Sequence, residues 1–427
     1  MQAGSAVPAA ILDRELLLVT ALGDEPLAPL ALARQLGARH VACVGARYTE
    51  WRVEPLLALL RRDGRTVEWL DVEATDVPAA LAELRERIVP RPNQSVVFDL
   101  TNARGVLGFA LYELARRLER DAPDRCRVVR IDWSDRLLRS ISPDRAAAES
   151  LTVRLGVDDV LAAHGMRLLG RERSTGDASA FGDAASRIAA NLAGAAPLLD
   201  AVHRGAWDRP LRAERGRLDG PLVGSLMTSG VLIRRDDALF ATNLRAFQFL
   251  HGRWLEEYLF EVAEASGRFD DCASGVRFTW LADDLPGADV ANEIDFAGTM
   301  GGRATIASCK TGVRDVNGAL YEVLTLAERA AGRSVITVFA TTVQLDRYDR
   351  RRAATLGIRI LDADALADPA RVLAALADGT APLPSSRPER QGRAARDDTT
   401  RRAEAERGPR PATRRPSHRP EVDHGPS

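Results

Sequence analysis

Two stretches of this chain hold residue types suited to chemistry: Asn292-Glu293-Ile294-Asp295-Phe296 and Ile306-Ala307-Ser308-Cys309-Lys310-Thr311-Gly312. Lys310 is the single lysine among 59 Lys and Arg residues, so a chain that uses arginine everywhere else has kept an ammonium here. An ammonium is a compact point donor, whereas a guanidinium is a planar fork that stays charged, and the two do not substitute for each other at a reaction centre. Both stretches read as strands, Val290 to Phe296 and Thr305 to Lys310, joined through Gly301-Gly302 as a hairpin. Period-two alternation places Glu293 and Asp295 on one face of the first strand, and Ser308 and Lys310 on one face of the second. If those faces coincide, two carboxylates converge on one ammonium. Exposed ion pairs contribute little to stability, so the arrangement points to function ahead of a structural salt bridge.

Carboxylates beside an ammonium suit phosphodiester hydrolysis. That reaction needs negative charge to hold a divalent metal, an activated water, and a cation for developing charge. Glu256, Asp295 and Glu293 are candidate ligands for Mg²⁺ or Mn²⁺, which take oxygen donors and keep open water positions. Lys310 would orient water or stabilise the phosphorus centre.

The elements that position these residues form two blocks. From Leu16 to Asp132, apolar strands alternate with amphipathic helices across short joins, a pattern that gives a parallel sheet covered on both faces. Residues 1–145 therefore read as a Rossmann-like domain. Ligands bind such sheets beyond the carboxyl ends of the strands, where two loops stand out: Thr20 to Pro26, with Leu22, Gly23 and Asp24, and Asp99 to Gly105, with Thr101, Asn102, Ala103 and Arg104. The second loop offers a hydroxyl, an amide and a guanidinium at a helix start, which suits phosphate. No GxGxxG is present, so a dinucleotide cofactor is unsupported. Residues 146–245 read as a helical connector carrying a small hairpin that turns at Asp236-Asp237. Residues 246–378 read as a second α/β domain, opened by a helix whose stripe is Trp254, Leu255, Tyr258, Leu259 and Val262. Residues 379–427, rich in Arg and Pro, read as a disordered tail.

Composition narrows the class. A net charge of −1 gives no global attraction for nucleic acid, so contacts must be local. The four cysteines lie far apart without a CxxC pair, as reduced core thiols do. No run approaches a membrane span and no signal pattern opens the chain, so a soluble, cytoplasmic protein is expected.

Gly252-x-x-Leu255-Glu256, Glu293-Ile294-Asp295 and Ser308-Cys309-Lys310 resemble the PD-(D/E)xK nuclease core. The longer strings GRWLEEY, NEID and SCKTG, in that order and after a Rossmann-like domain, are similar to the CARF–nuclease effectors of type III CRISPR systems. The resemblance implies an α/β protein with a CARF domain, a connector and a restriction-endonuclease-like domain. It implies a homodimer that binds a cyclic oligoadenylate, most often cyclic tetra-adenylate with cyclic hexa-adenylate as the variant, and so activates a metal-dependent endonuclease of antiviral defence acting on DNA, RNA or both. The sequence departs from the pattern twice: Ser308 stands where the nuclease pattern has an acid, and Thr101-Asn102-Ala103-Arg104-Gly105 stands where T-G-G-T-K is usual. Two other readings stay open: a sensor whose nuclease fold only binds nucleic acid or a partner, and an ungated nuclease whose Rossmann domain only dimerises.

Overall fold

The structure, a computed structural model, describes residues 15–377 apart from 24–25, 46–49, 74, 143–146, 177–180, 213–217, 281–290, 313–314 and 333. Asp24, the expected strand start at Val290 and the tail at 379–427 lie outside the described residues.

The first sheet holds β1 (Leu16–Ala21), β2 (His40–Gly45), β3 (Thr66–Asp71), β4 (Ser95–Asp99), β5 (Cys126–Asp132), β6 (Leu137–Ser140) and β7 (Ala148–Ser150), in the order β3-β2-β1-β4-β5-β6-β7. The first five are parallel, as the alternating pattern requires, with helices Leu27–Gln35, Glu50–Arg62, Val77–Arg87 and Gly105–Asp121 as crossovers. Strands β6 and β7 add antiparallel at the edge and carry the sheet to Ser150, past the expected boundary at 145. Because the order turns at β1 and β4, the loops after these two strands stand side by side at the switch point.

The connector is more than helical. β8 (Met166–Gly170) and β9 (Arg173–Ser174) pair with β12 (Asp271–Trp280) and so belong to the second sheet. That sheet continues through β13 (Asn292–Met300), β14 (Arg303–Lys310), β15 (Ile336–Thr341) and β16 (Arg359–Leu361). Between the two sheets, β10 (Leu232–Arg235) and β11 (Ala238–Ala241) form the expected hairpin, and positive φ at both Asp236 and Asp237 gives it the turn that matches strand twist.

Helix Trp254–Ser266 packs on β12, β13 and β14. Trp254, Leu255, Tyr258, Leu259, Phe260 and Ala263 are buried, and the Tyr258 hydroxyl donates to Leu366 O at 2.9 Å. One continuous core joins the domains: Leu18, Leu57 and Val160 share it with Val276, Ile294 and Ile306. Among the described residues no helix is long and apolar enough to cross a membrane.

Candidate active site and ligand loops

The β13–β14 ladder runs from Met300–Arg303 to Phe296–Ala307. One step further on, the Asp295 side chain replaces a main-chain acceptor: the Cys309 N–H donates to its Oδ2 at 2.6 Å, and Ser308 Oγ donates to the same oxygen at 3.3 Å. The hydroxyl at 308 thus orients the acid on the neighbouring strand. Among the described residues no donor reaches Oδ1. Burial pushes the Asp295 carboxyl up, and the Cys309 N–H and the Lys310 charge oppose this.

Lys310 ends β14, level with Thr341 of β15, and its ammonium makes no ion pair among the described residues. Glu256 comes from the first turn of helix Trp254–Ser266. Burial, then the charges of Asp295 and Glu293, push its carboxyl up to about 9, while Arg253 opposes the shift. Glu293 itself is exposed and lies opposite Arg277 of β12. The structure therefore brings Asp295, Ser308 and Lys310 together, couples Glu256 to Asp295 through charge, and leaves Glu293 at the rim. Among the described residues no three His, Cys, Asp or Glu side chains stand at metal-binding spacing, so Asp295, Glu256 and Glu293 are not a preassembled ligand triad.

Several neighbours of the site were missed in the sequence. The strand end at Thr311 is held by Thr342 Oγ1, which donates to Thr311 O at 2.8 Å. Thr311 Oγ1 lies 3.5 Å from both His203 Nε2 and His251 O, and the two imidazoles sit 4.8 Å apart. A cleft opens on Glu256, lined also by Glu172, Phe181, Arg245, Arg253 and Ser274. These residues come from separate segments with no shared spacing, so no local signal announces them.

In the first domain Asp99, fully buried, ties the two ligand loops together. Thr20 Oγ1 donates to its Oδ2 at 2.7 Å, and the Thr101 N–H donates to Oδ1 at 2.8 Å. The Thr101 hydroxyl also donates to Asp99 and accepts from the Ile131 N–H at 2.9 Å. It is engaged inside the protein, which makes Thr101 a loop-shaping residue. Burial raises the Asp99 carboxyl, and the bonds from Thr101 and Thr20 pull it back. Leu22 is half-buried, its N–H donating to Val44 O. Gly23 and Asn102 touch closely enough that a Cβ on Gly23 would stand 3.2 Å from Asn102 Cβ. A Cβ on Gly108 would press on the Ala103 carbonyl carbon at 2.7 Å, which fixes that loop to the helix behind it. Arg104 is exposed at the start of helix Gly105–Asp121.

Residues 243–375 match the family model of the Card1-like endonuclease domain. The fold is similar to that of protein VC1899 from Vibrio cholerae, with a TM-score of 0.68 and 18% identity over 83% of this chain and 96% of that one. It is also similar to Can2 from Sulfobacillus thermosulfidooxidans, solved in complex with cyclic tetra-adenylate, with a TM-score of 0.65 and 16% identity over 85% of this chain and 97% of that one. No curated protein matches in sequence. The protein is thus an α/β chain in which a parallel, doubly wound first sheet is followed by a second sheet that carries the segment matching the endonuclease-domain model. The resemblance to the CARF–nuclease effectors of type III systems is borne out, in its endonuclease half by the family model matching residues 243–375 and in its two-domain fold by the likeness to Can2.

Proposed function

We propose that this protein is a cyclic-oligoadenylate-activated, metal-dependent endonuclease of type III CRISPR defence, working as a homodimer with a PD-(D/E)xK centre. The observation that carries this reading is the ammonium of the chain's one lysine beside Asp295, with no ion partner among the described residues, and the half-buried Glu256 coupled by charge to Asp295.

The donor set fits Mg²⁺ or Mn²⁺. Asp295 and Glu256 are hard oxygen donors that repel each other in a partly dry site, and burial holds the Cys309 thiol protonated and unfit as a ligand. Asp295 and Glu256 would hold the ion, with Glu293 reaching it through water. When bound, the ion supplies Lewis acidity toward phosphate oxygens and acidity to bound water. Hydrolysis adds water across a P–O bond, so a proton leaves the attacking water and another reaches the departing oxygen. The Lys310 ammonium can donate to either the water or a phosphate oxygen, and Ser308 keeps Asp295 aimed.

Proton competition gives a test of the ion. A carboxyl held at about 9 keeps its proton at neutral pH, and a dication must displace it. Because this folded value lies above the ordinary 4.5, the carboxyl's contribution to stability is present below pH 4.5 and is lost as pH rises toward 9, where a bound ion restores it. Affinity for Mn²⁺ should therefore rise by up to about tenfold per pH unit. Melting curves with and without Mn²⁺ at acid, neutral and alkaline pH would show a growing stabilisation. Equal shifts at each pH would remove Glu256 from the ligand set.

Support for the activator comes from the sensor-type fold shared with a protein that binds cyclic tetra-adenylate, and from the two loops clasped by Asp99. Thr20→Val removes the bond that ties them and should weaken cyclic tetra-adenylate about tenfold, the equivalent of one hydrogen bond. Titration calorimetry reads the affinity. Unchanged affinity with a lowered melting temperature would mean that the clasp serves only the fold.

The reading as a whole is tested by cleavage of single-stranded DNA, supercoiled DNA and RNA with Mn²⁺, with and without cyclic tetra- or hexa-adenylate. Cleavage that appears only with one ring size supports it. Cleavage indifferent to both points to an ungated nuclease, and none under any condition points to a sensor without catalysis.

A further inference from the structure

The reaction centre described so far has one cation, Lys310, on the Asp295 side. The cleft that opens on Glu256 is lined by three more, Arg173, Arg245 and Arg253, of which Arg173 is taken up by Glu257 and Glu261. Arg253 closes a π-helical turn, Phe249–Arg253, at the point where helix Trp254–Ser266 begins, one turn before Glu256 and facing the same cleft. Its side chain is 44% exposed and forms an ion pair with Glu172.

Glu172 is built into place. It lies in the bend between β8 and β9, its N–H donates to Ser274 O at 3.0 Å, and its stem rests where Gly275 has no side chain. Gly275 takes φ +56 inside β12, and a Cβ there would run into Glu172. A side chain at 275 would therefore displace the acid that holds Arg253. The positive φ at 275 favours glycine by itself, and the missing Cβ leaves the Glu172 stem its room; an exposed ion pair contributes little to stability, so what this seat fixes is the position of the Arg253 guanidinium. The cleft wall adds Arg245, whose guanidinium lies 5.7 Å from the Phe181 ring centroid.

We propose that Arg253 is a catalytic residue that binds a substrate phosphate from the Glu256 side of the centre, and that Glu172, supplied from outside the endonuclease-family segment, is the residue that aims it. This rests on the nuclease reading above. A guanidinium has five donors, so it can keep one bond to Glu172 and present a fork to a phosphodiester. Two cations would then face the scissile group, Lys310 by Asp295 and Arg253 by Glu256. As phosphate charge builds in the transition state, a preset donor stabilises it without reorganising.

The test is single-turnover cleavage by full-length protein with activator and Mn²⁺. Arg253→Gln should lower the rate at saturating substrate about 100-fold, as loss of one preset donor does. Arg253→Lys, which keeps charge but loses the fork, should recover part of it. Glu172→Gln should lower the rate about tenfold, and Arg253→Gln with Glu172→Gln should be no worse than Arg253→Gln alone, because Glu172 acts through Arg253. Additive losses, or an Arg253→Gln rate within twofold of the parent while Lys310→Ala is inactive, would overturn the inference and leave the nuclease reading standing. If the parent protein cleaves nothing, that reading fails first. The inference is then judged in the Lys310→Ala background by anisotropy of fluorescein-labelled DNA and RNA oligonucleotides, where an affinity unchanged by Arg253→Gln overturns it too.

Discussion

Lys310→Ala is expected to lower activator-dependent cleavage by about 1,000-fold while leaving the melting temperature close to that of the parent. The two halves of this result have separate causes. For the activity, the ammonium ends a strand that is locked on both sides: Asp295 takes the Cys309 N–H at 2.6 Å, and Thr342 holds Thr311 at 2.8 Å. The backbone that bears the ammonium is fixed, and among the described residues no ion pair draws the ammonium away, so it is free to meet charge developing beside Asp295, and removing it forfeits that value in the transition state. For the stability, truncation breaks no ion pair among the described residues, and the charge it removes from beside Asp295 can be answered by that carboxyl keeping its proton, so the change should stay within about 1 kcal/mol. Lys310→Arg is the sharper control. It keeps the charge, yet a planar fork cannot occupy a point donor's position, and activity should remain well below the parent. Full activity in Lys310→Arg would mean that only a diffuse positive charge is needed there. Full activity in Lys310→Ala would remove the residue from the centre.

How much of this was legible in the sequence follows from which interactions are local. The central strands β1, β2 and β4 are buried on both faces and read as short apolar runs, and with the helices between them they bracket the less buried β3 and β5, so β1 to β5 and their crossovers fall almost where the pattern places them. The Gly301-Gly302 turn was legible for the same reason: both residues take positive φ, at 57° and 77°. β12 was not. It is buried along nearly its whole length, without alternation, and Gly275 interrupts it at positive φ, so neither the strand period nor an uninterrupted apolar run marks it. Without β12, the pairing of β8 and β9 into the nuclease sheet was out of reach, and with it the place of Glu172. The site divides in the same way. Asp295, Ser308 and Lys310 lie on two adjacent strands and could be matched by period. His203 and Glu172 reach the site through tertiary packing, and nothing in their own surroundings in sequence points there, whereas Arg253 lies within the GRWLEEY string, three residues before Glu256, with no role assigned to it from sequence.

Gly302→Ala should destabilise the protein by about 2–4 kcal/mol, the cost of a left-handed backbone in a residue with a side chain plus overpacking of a half-buried contact. The contact is with Trp133, whose ring fills the space a Cβ on Gly302 would need. Trp133 follows β5, and two residues before it the Ile131 N–H donates to the Thr101 hydroxyl that shapes the ligand loop. Beside it, Arg136 pairs with Asp270 at 3.1 Å, and Asp270 accepts the Gly301 N–H at 2.7 Å. The end of β5 thus grips the tip of the hairpin whose other end carries Asp295 and Lys310. Trp133→Ala in the Gly302→Ala background should recover the overpacking part of the loss and not the backbone part, which a double-mutant cycle of melting free energies would separate. Strict additivity would mean that the two residues do not touch. The single Trp133→Ala variant carries the functional consequence. It should bind cyclic tetra-adenylate with little change, because Thr101 and Asp99 remain in place, yet show a much smaller ratio of activated to basal cleavage, because the ligand can shift only an equilibrium to which its loop is joined. An unchanged activation ratio would place the coupling elsewhere in the shared core, between helix Val157–Ala163 and β12.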